Sequence, residues 1–187
     1  LDKAAVLSRS SGSFALIETM RWTPGKGYFI LFEHLHRLQA SAEYFEIDFD
    51  QAKTRDCLQA LAKSLPNAPH KVRLLLHSDG QLKATASTID PNPLQPLQIH
   101  LAQRPINSGN IYLYHKTTQR QLYEKCLAEH ETADEVVLWN ERGEVTECCT
   151  ANLVIERSGK LLTPPLASGR WPGTYREFLL TRGILDR

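Results

Sequence analysis

This chain of 187 residues lacks the features that mark several large classes of protein. It has no apolar run near the roughly 20 residues that span a bilayer. The apolar stretch among its first residues is too short, and too interrupted by polar residues, to be a secretory signal. Its formal net charge of +1 gives no electrostatic reason to expect nucleic acid or an anionic membrane as a partner. With 42% hydrophobic and 23% charged residues, the composition favours an ordinary globular protein.

Cysteine is also scarce, and its spacing excludes the usual zinc site. The four cysteines are Cys57, Cys126, Cys148 and Cys149, and no two of them form a CxxC pair. A disulfide between the adjacent Cys148 and Cys149 is disfavoured because its geometry is strained. The sequence thus predicts free, buried thiols in a cytoplasmic protein, and no metal site.

The first half of the chain alternates strand-like and helix-like patterns. The predicted strands are Phe14–Thr19, Gly27–Leu31, Lys71–Leu76, Gln81–Thr88 and Leu97–Ala102. Thr23–Gly27 has the turn chemistry of a hairpin, and three prolines within Asp90–Pro96 exclude a helix there. Apolar residues at helical spacing predict one helix over Glu33–Phe45 and a second from Asp50, its N-cap, to about Ser64.

The second half is mostly β in pattern. The predicted strands are Ile111–His115, Glu135–Trp139, Glu144–Thr146, Asn152–Glu156 and Leu161–Thr163, and the predicted helices are Thr118–Glu129 and Gly173–Thr181. The stretch 104–110 contains a proline and a glycine and is predicted to be an interdomain linker. We therefore expect an α+β protein with a small N-terminal domain, 1–103, and a larger C-terminal domain, 111–187.

Two basic residues have both an ordinary and a chemical interpretation. Lys116 follows an apolar strand pattern, where a lysine usually extends its amine into solvent. If that amine were buried, its pKa would fall and it would become a nucleophile for a carbonyl. Arg37 lies in the middle of a predicted helix, either solvated or paired with Glu33 four residues earlier. Its planar guanidinium is equally suited to binding a phosphate.

A carboxylate and a helix start complete the set of candidates. Glu147 ends a buried strand pattern among small residues, so it is either a hydrogen-bonded structural residue or a functional carboxylate. The run Gly173-Thr174-Tyr175-Arg176 opens a helix after a loop. Such a start attracts anions through its N–H groups and the helix dipole, although an ordinary helix start is the commoner interpretation.

In their order and spacing these residues resemble the fold-type IV enzymes that use pyridoxal 5′-phosphate (PLP), and the resemblance runs from about Phe14 to the end. His34-Leu35-His36-Arg37-Leu38 is similar to the His-x-x-Arg-Leu element of that family. The roles that the resemblance implies are phosphate binding by Arg37 and by the amides of Thr174 and Tyr175, a Schiff base at Lys116, and pairing of Glu147 with the pyridine nitrogen. It also implies the two-domain fold of D-amino-acid aminotransferase.

Within the family the chain most resembles 4-amino-4-deoxychorismate lyase. Val145–Asn152 carries paired cysteines where many aminotransferases have Gly, Ser or Thr. Ser13–Met20 and His115–Arg120 are similar to lyase domains fused behind aminodeoxychorismate synthase. The implied reaction releases pyruvate and forms 4-aminobenzoate for folate biosynthesis, with Lys116 as the proton-transfer base and Thr19, or a water, protonating the leaving group. The alternatives are a class IV aminotransferase for branched-chain or D-amino acids and an inactive member that acts as a binding module.

The resemblance also has implications for partners and for chain length. It implies a small-molecule amine substrate, a homodimer whose active site borrows a loop from the partner subunit, and fusion to or partnership with aminodeoxychorismate synthase. The chain begins without Met and ends at Arg187, whereas family members continue for several more elements. We therefore expect a piece of a longer chain, with a truncated C-terminal domain. Tyr175 stands where the family commonly has Thr, which a backbone contact tolerates.

Overall fold

The first sheet is built around β1 (Ala15–Thr23), whose first half consists mainly of apolar side chains. In the computed structural model, which describes residues 14–89 and 96–187, β1 lies between β2 (Gly27–Tyr28) and β3 (His70–His77). β4 (Leu82–Thr88) completes the order β2-β1-β3-β4, in which every pair is antiparallel. Buried and more exposed residues alternate along β3, as expected of a strand with one covered face.

Two helices follow the pattern predicted from the sequence. α1 (Leu31–Phe45) begins two residues before the predicted start and buries one face. α2 (Gln51–Ser64) begins where the side chain of Asp50 accepts a hydrogen bond from the amide of Lys53 at 3.0 Å, which confirms the predicted N-cap. The hairpin between β1 and β2 is confirmed too, although β2 is only two residues long because the chain enters α1 at once.

The second sheet has the order β5-β6-β7. β5 (Ile99–Leu101) pairs in parallel with β6 (Glu135–Trp139), and β6 pairs antiparallel with β7 (Val145–Cys148). A separate hairpin consists of β8 (Ile155–Arg157) and β9 (Lys160–Leu162). The predicted strand at Glu135–Trp139 is therefore confirmed, and so is the hairpin predicted from Asn152–Glu156 and Leu161–Thr163.

Two helices accompany these strands. α3 (Gln121–Ala128) contributes Tyr123 and Cys126 to a buried core that also takes side chains from β6 and the connecting loops. The core residues are Ala102, Ile106, Leu113, Tyr123, Cys126, Val136, Leu138 and Cys149. α4 (Thr174–Thr181) begins directly after Gly173, in agreement with the predicted helix.

One predicted strand is wrong. Ile111–His115 does not form a strand, and a 3-10 helix occupies Ile111–Leu113. The cause lies immediately before it, where the side chain of Asn110 accepts a hydrogen bond from the amide of Tyr112 at 3.1 Å. An asparagine in that position caps a helical turn and competes with extended backbone.

The helix predicted from Thr118 begins later, at Gln121. Thr117 and Thr118 do not join it because their backbone pairs with β1: Thr117 forms a bridge with Leu16, and the amide of Thr118 donates to the carbonyl of Ala15 at 2.9 Å. A pairing across about a hundred residues of sequence thus sets the start of α3. The helix propensity of the local residues does not set this start.

The described residues fall into two compact units, one of 14–89 with Lys116–Gln119 and one of 96–115 with Arg120–Arg187. This division differs from the predicted domain limits because β5 pairs with β6, not with the first sheet. The predicted domains at 1–103 and 111–187, with a linker at 104–110, stay a prediction. The mixture of helices and sheets confirms the α+β class.

No helix within the described ranges is both long and apolar enough to cross a membrane. All four cysteines are free thiols, as predicted, and only Cys57 is not buried. The N-terminal residues 1–13, where the sequence predicts no secretory signal, and the proline-rich stretch 90–95 lie outside the described residues.

Candidate active site

Lys116 is held at the edge of β1 by its own backbone. Its carbonyl accepts a hydrogen bond from the amide of Ile17 at 2.7 Å, and the next residue, Thr117, forms an antiparallel bridge with Leu16. The amide of Ala15 in turn donates to the Thr118 hydroxyl at 2.9 Å. The half-buried lysine is therefore fixed to the sheet like a residue of an added strand.

Thr19 lies on the same strand, two residues beyond the point where Lys116 is bonded. Alternation along a strand turns the backbone groups of Ile17 and Thr19 to the same edge, about 7 Å apart. The Thr19 side chain is half-buried, and its residue pairs with Arg73 of β3 on the opposite edge. The first unit thus brings Thr19 and Lys116, the two residues with predicted proton-transfer roles, to one strand edge.

Arg37 projects from α1 and forms a two-pronged ion pair with Glu18 of β1. Its Nε donates to Oε1 at 2.8 Å and its Nη2 to Oε2 at 2.6 Å. His34 Nδ1, one helical turn earlier, lies 2.6 Å from the same Oε2. The carboxylate that orients Arg37 therefore comes from the sheet, at a sequence separation no helix rule would find.

The Glu18 carboxylate is almost fully buried, with 1% of its surface exposed. Burial raises the pKa of Glu18, but the charge of Arg37 and the hydrogen bonds from His34 and Arg37 outweigh it, so the pKa lies below its usual value. Glu18 is therefore a carboxylate at neutral pH, and it holds the Arg37 guanidinium in one orientation.

Glu147 lies on β7 with none of its surface exposed. The Tyr123 hydroxyl donates to Oε1 at 2.9 Å, and the Asn152 side-chain amide donates to Oε2 at 3.4 Å. A buried carboxylate without partners would be costly, so both donors contribute to keeping Glu147 in place. The structure confirms the burial that the sequence pattern predicted and supplies the partners that it did not.

Tyr123 is itself constrained to act as a donor. Burial, together with the charge and hydrogen bond of Glu147, raises the pKa of Tyr123 far above its usual value. The Arg120 guanidinium stacks over the Tyr123 ring, 4.5 Å from its centroid, and its Nη2 donates to the carbonyl of Cys149 at 2.5 Å. Tyr123 therefore keeps its proton across the physiological pH range and always presents it to Glu147.

The start of α4 has no side-chain cap, because its N-cap is Gly173. Thr174 is buried and Tyr175 is 57% exposed. Helix starts of this kind present backbone N–H groups and the positive end of the helix dipole to an anion. An anionic group such as a phosphate fits this end of the helix.

Two buried arginines, Arg170 just before α4 and Arg176 in its first turn, add positive charge at the start of this helix. Arg170 Nε and Arg176 Nη2 both donate to the carbonyl of Pro164, at 2.9 and 2.8 Å. Burial first, and then the charge of Arg176, lower the pKa of Arg170 to about 10. Within the described part of the chain, Arg170 Nη2 is buried without a hydrogen-bond partner, while Arg176 has the half-exposed Glu177 at 3.5 Å. This surplus of buried positive charge also fits an anionic ligand in the second unit.

The predicted site residues are thus divided between the units: Thr19, Arg37 and Lys116 lie in the first, and Glu147, Thr174 and Tyr175 in the second. Sequence reasoning missed Glu18, Tyr123, Asn152 and Arg170. A carboxylate inside the apolar run of β1 was an available sign for Glu18, since a buried charge needs a partner. Across 14–89 and 96–187, no three His, Cys, Asp or Glu side chains are grouped so that they could hold a metal ion.

Comparison with known proteins supports the same family. A protein from Schizosaccharomyces pombe, described as a candidate aminodeoxychorismate lyase, is 28% identical over an alignment of 167 residues that covers 84% of this chain and 70% of that protein. The crystal structure of a candidate amino-acid aminotransferase from Mesorhizobium loti is 35% identical, with a TM-score of 0.86 over 92% of this chain and 85% of that one.

A candidate 4-amino-4-deoxychorismate lyase from Legionella pneumophila shares the fold, with a TM-score of 0.74 and 21% identity over 90% of this chain and 68% of its own. The family model described as amino-transferase class IV matches residues 15–184, which is most of the chain. Enzymes of that family depend on PLP. By this match, which includes every predicted site residue, the chain belongs to the class IV aminotransferase family.

Proposed function

We propose that this protein is a PLP-dependent lyase that converts 4-amino-4-deoxychorismate to 4-aminobenzoate and pyruvate, with Lys116 as the residue that carries the cofactor. The observation that carries the proposal is Glu147, a wholly buried carboxylate held by the Tyr123 hydroxyl and the Asn152 amide. Such a carboxylate suits a protonated pyridine nitrogen, because an ion pair offsets the cost of burying its charge. When bound, PLP supplies an electron-accepting ring that stabilises negative charge on the substrate carbon bearing the amine.

The phosphate of the cofactor would be held at the start of α4 and by Arg37. The amides of Thr174 and Tyr175 would donate to the phosphate, and the buried charge of Arg170 and Arg176 would favour its dianionic form. Arg37 would contribute a further cationic contact, with Glu18 fixing its orientation. These residues would bind and orient the cofactor without taking part in bond breaking.

Lys116 would move the proton. Once its amine is released by the incoming substrate amine, it would remove the proton from the ring carbon that carries the substrate nitrogen. The bond from the neighbouring carbon to the enolpyruvyl oxygen then breaks, and the ring becomes aromatic. Thr19, which lies on the same strand edge as Lys116, or a water would deliver the proton that converts the departing group to pyruvate.

A class IV aminotransferase is the second candidate. It is supported by the 35% identity to the candidate aminotransferase of Mesorhizobium loti, while the candidate lyase of Schizosaccharomyces pombe supports the first candidate with 28% identity. An aminotransferase would use the same Lys116 to move a proton, but it would release its first substrate as a keto acid and then need a second keto acid to accept the amino group. The paired Cys148 and Cys149 favour the lyase.

The assembly of the enzyme is part of the same proposal. We expect a homodimer in which a loop of the partner subunit completes the pocket, and a fusion to or partnership with aminodeoxychorismate synthase, which would deliver the substrate. Size-exclusion chromatography with light scattering would measure the subunit number directly. A monomer that is fully active would contradict the shared site.

Borohydride trapping tests the cofactor assignment. The chain is mixed with PLP, reduced with borohydride and digested, and the phosphopyridoxyl group is located by mass spectrometry. We expect it on Lys116 and expect it to disappear in Lys116→Ala, whereas the exposed Lys125 serves as a matched control whose Ala variant should keep the mark. A mark distributed over surface lysines, or unchanged in Lys116→Ala, would contradict the proposal.

Product analysis then separates the two activities. Incubation with 4-amino-4-deoxychorismate should release pyruvate and 4-aminobenzoate in equal amounts without any keto acid present. Amino-group transfer that requires a keto acid, with no pyruvate release, would instead establish the aminotransferase.

A further inference from the structure

Asn152 touches two parts of the candidate site at once. At one end of its side chain, Nδ2 donates to Glu147 Oε2 at 3.4 Å. At the other end, Oδ1 occupies the position where a Cβ would stand on Gly173, and Cγ lies 2.9 Å from that position. One short side chain therefore spans the gap between the buried carboxylate and the residue that opens α4.

Gly173 is required by this contact and not by its backbone conformation. Its φ of −63° and ψ of 125° are accessible to any residue, so the usual reason for glycine does not apply. A Cβ would overlap Asn152 Oδ1, and it would also lie 3.4 Å from the Trp171 ring. The absence of a side chain at Gly173 is thus matched to the presence of Asn152.

The loop that carries Asn152 is fixed on both sides. The carbonyl of Ala151 accepts a hydrogen bond from the amide of Cys148 at 2.8 Å, and the carbonyl of Leu153 accepts one from the Thr163 hydroxyl at 2.8 Å. The same Thr163 hydroxyl accepts from Arg176 Nε, on α4, at 3.0 Å. Asn152 therefore sits on a frame tied to both β7 and α4, and it has little freedom to move away from either contact.

We propose that Asn152 is a positioning residue that fixes the spacing between the Glu147 carboxylate and the start of α4. The inference rests on the proposed function, in which Glu147 meets the ring nitrogen of PLP and α4 meets its phosphate. PLP is a rigid ligand with these two groups at a set separation, so affinity depends on the separation of the two protein anchors. Asn152 and Gly173 together set that separation.

The test compares binding of PLP with binding of pyridoxal, which has the ring but no phosphate. Loss of the spacing should weaken the two-anchor ligand far more than the one-anchor ligand. In Asn152→Ala we expect the Kd for PLP to rise about 10- to 100-fold, the range that corresponds to losing a hydrogen-bonded contact to a charged group. The Kd for pyridoxal should rise only a few-fold. Equal losses for both ligands would overturn the inference, because they would mean that Asn152 acts on the ring end alone.

A double variant tests the steric match directly. Gly173→Ala should weaken PLP binding and lower the thermal stability of the apo protein, because the new methyl overlaps Asn152 Oδ1. Asn152→Ala combined with Gly173→Ala should regain the lost stability, since the methyl then enters the vacated space. Gly109→Ala is the matched control: its Cβ would meet Asn107 Oδ1 at 3.1 Å, a contact that a small shift relieves. A double variant as unstable as Gly173→Ala would overturn the match.

The outcomes also separate this inference from the proposed function. If the unmodified chain fails to bind PLP in the borohydride experiment, both are overturned. If it binds PLP at Lys116 but Asn152→Ala binds PLP equally tightly, the function stands and the positioning role of Asn152 is overturned.

Discussion

The ion pair between Glu18 and Arg37 gives the sharpest test of how the first unit is stabilised. Glu18 is 1% exposed and the Arg37 side chain 10%, so both charges depend on each other for compensation. Removing one partner of a buried pair costs about 3–5 kcal/mol, because the remaining charge is left in a poorly solvated position. We expect a loss in this range for Glu18→Met, which leaves Arg37 without its carboxylate.

Arg37→Met should cost less than Glu18→Met, because His34 lies 2.6 Å from Glu18 and can still compensate the carboxylate when it is protonated. The double variant Glu18→Met with Arg37→Met should recover most of the stability, since replacing a whole buried pair by apolar residues is often neutral. The structure therefore predicts strong non-additivity, with a coupling of at least about 3 kcal/mol between the two sites, because Glu18→Met alone loses that much and the double variant loses little.

Native-state hydrogen exchange provides the local readout. Glu18 and its ladder partner Leu74 lie in the centre of the β1–β3 pairing, so their amides report opening of this sheet. A loss of 3–5 kcal/mol would speed their exchange by about two to three and a half orders of magnitude, at 1.4 kcal/mol for each factor of ten. Additive single-variant effects, each below about 1 kcal/mol, would refute the reasoning, because that is the behaviour of a solvated surface pair.

Further predictions follow from single groups in the structure. The pKa of Glu18 is lowered in the folded protein, so the stability that the ionised Glu18 contributes to the fold is complete above its unfolded-state pKa of about 4.3 and is lost as the pH falls through the lower folded-state value. Glu18→Gln should remove this contribution from acid unfolding curves. Burial raises the pKa of Cys149 to about 12, so at pH 8 iodoacetamide should label the half-buried Cys57 long before Cys149; equal labelling rates by mass spectrometry would contradict this. Gly169→Ala places a Cβ 2.9 Å from Ser108 at a φ of +93°, and thermal unfolding should show a larger loss than for Gly159→Ala, where only the backbone cost of about 1–2 kcal/mol applies. Similar losses for the two variants would exclude the clash.

The parts of the fold that sequence reasoning obtained correctly are those determined by neighbouring residues. Asp50 caps α2 through the amide three residues later, and the β1–β2 turn needs only glycines with positive φ at Gly25 and Gly27. Glu135–Trp139 was found because a short run of apolar residues between turn residues favours a buried strand. In each case the interaction that determines the structure lies within about five residues.

The errors have the opposite cause. Ile111–His115 has the composition of a strand, yet Asn110 starts a helical turn there, and the next residues pair with β1. Nothing local to Lys116 shows that its carbonyl accepts from Ile17, about a hundred positions earlier. The strand at Leu97–Ala102 was found, but its neighbour in the sheet is β6, which comes later in the chain.

The candidate site shows the same division. Burial of Glu147 follows from its place at the end of an apolar strand, but the two donors that hold it, Tyr123 and Asn152, lie on other segments. The requirement for a donor could be inferred from the sequence, because a buried carboxylate without partners is costly. The identity of the donor could not be inferred from the sequence, since several hydroxyl and amide side chains satisfy the same requirement.

Arg37 shows that the free-energy cost of burying a charge can identify an ion-pair partner. Glu33, four residues earlier on the same helix, was the obvious local partner, and a pair of that kind contributes only about 0.3–0.5 kcal/mol. Glu18 lies between apolar residues on a buried strand, and a carboxylate there destabilises the fold by several kcal/mol unless a cation meets it. The larger free energy determines the pairing, so Arg37 pairs with Glu18 of β1. A charged residue inside an apolar strand is therefore a stronger constraint on its partner than any favourable spacing on a helix, and it should be assigned first.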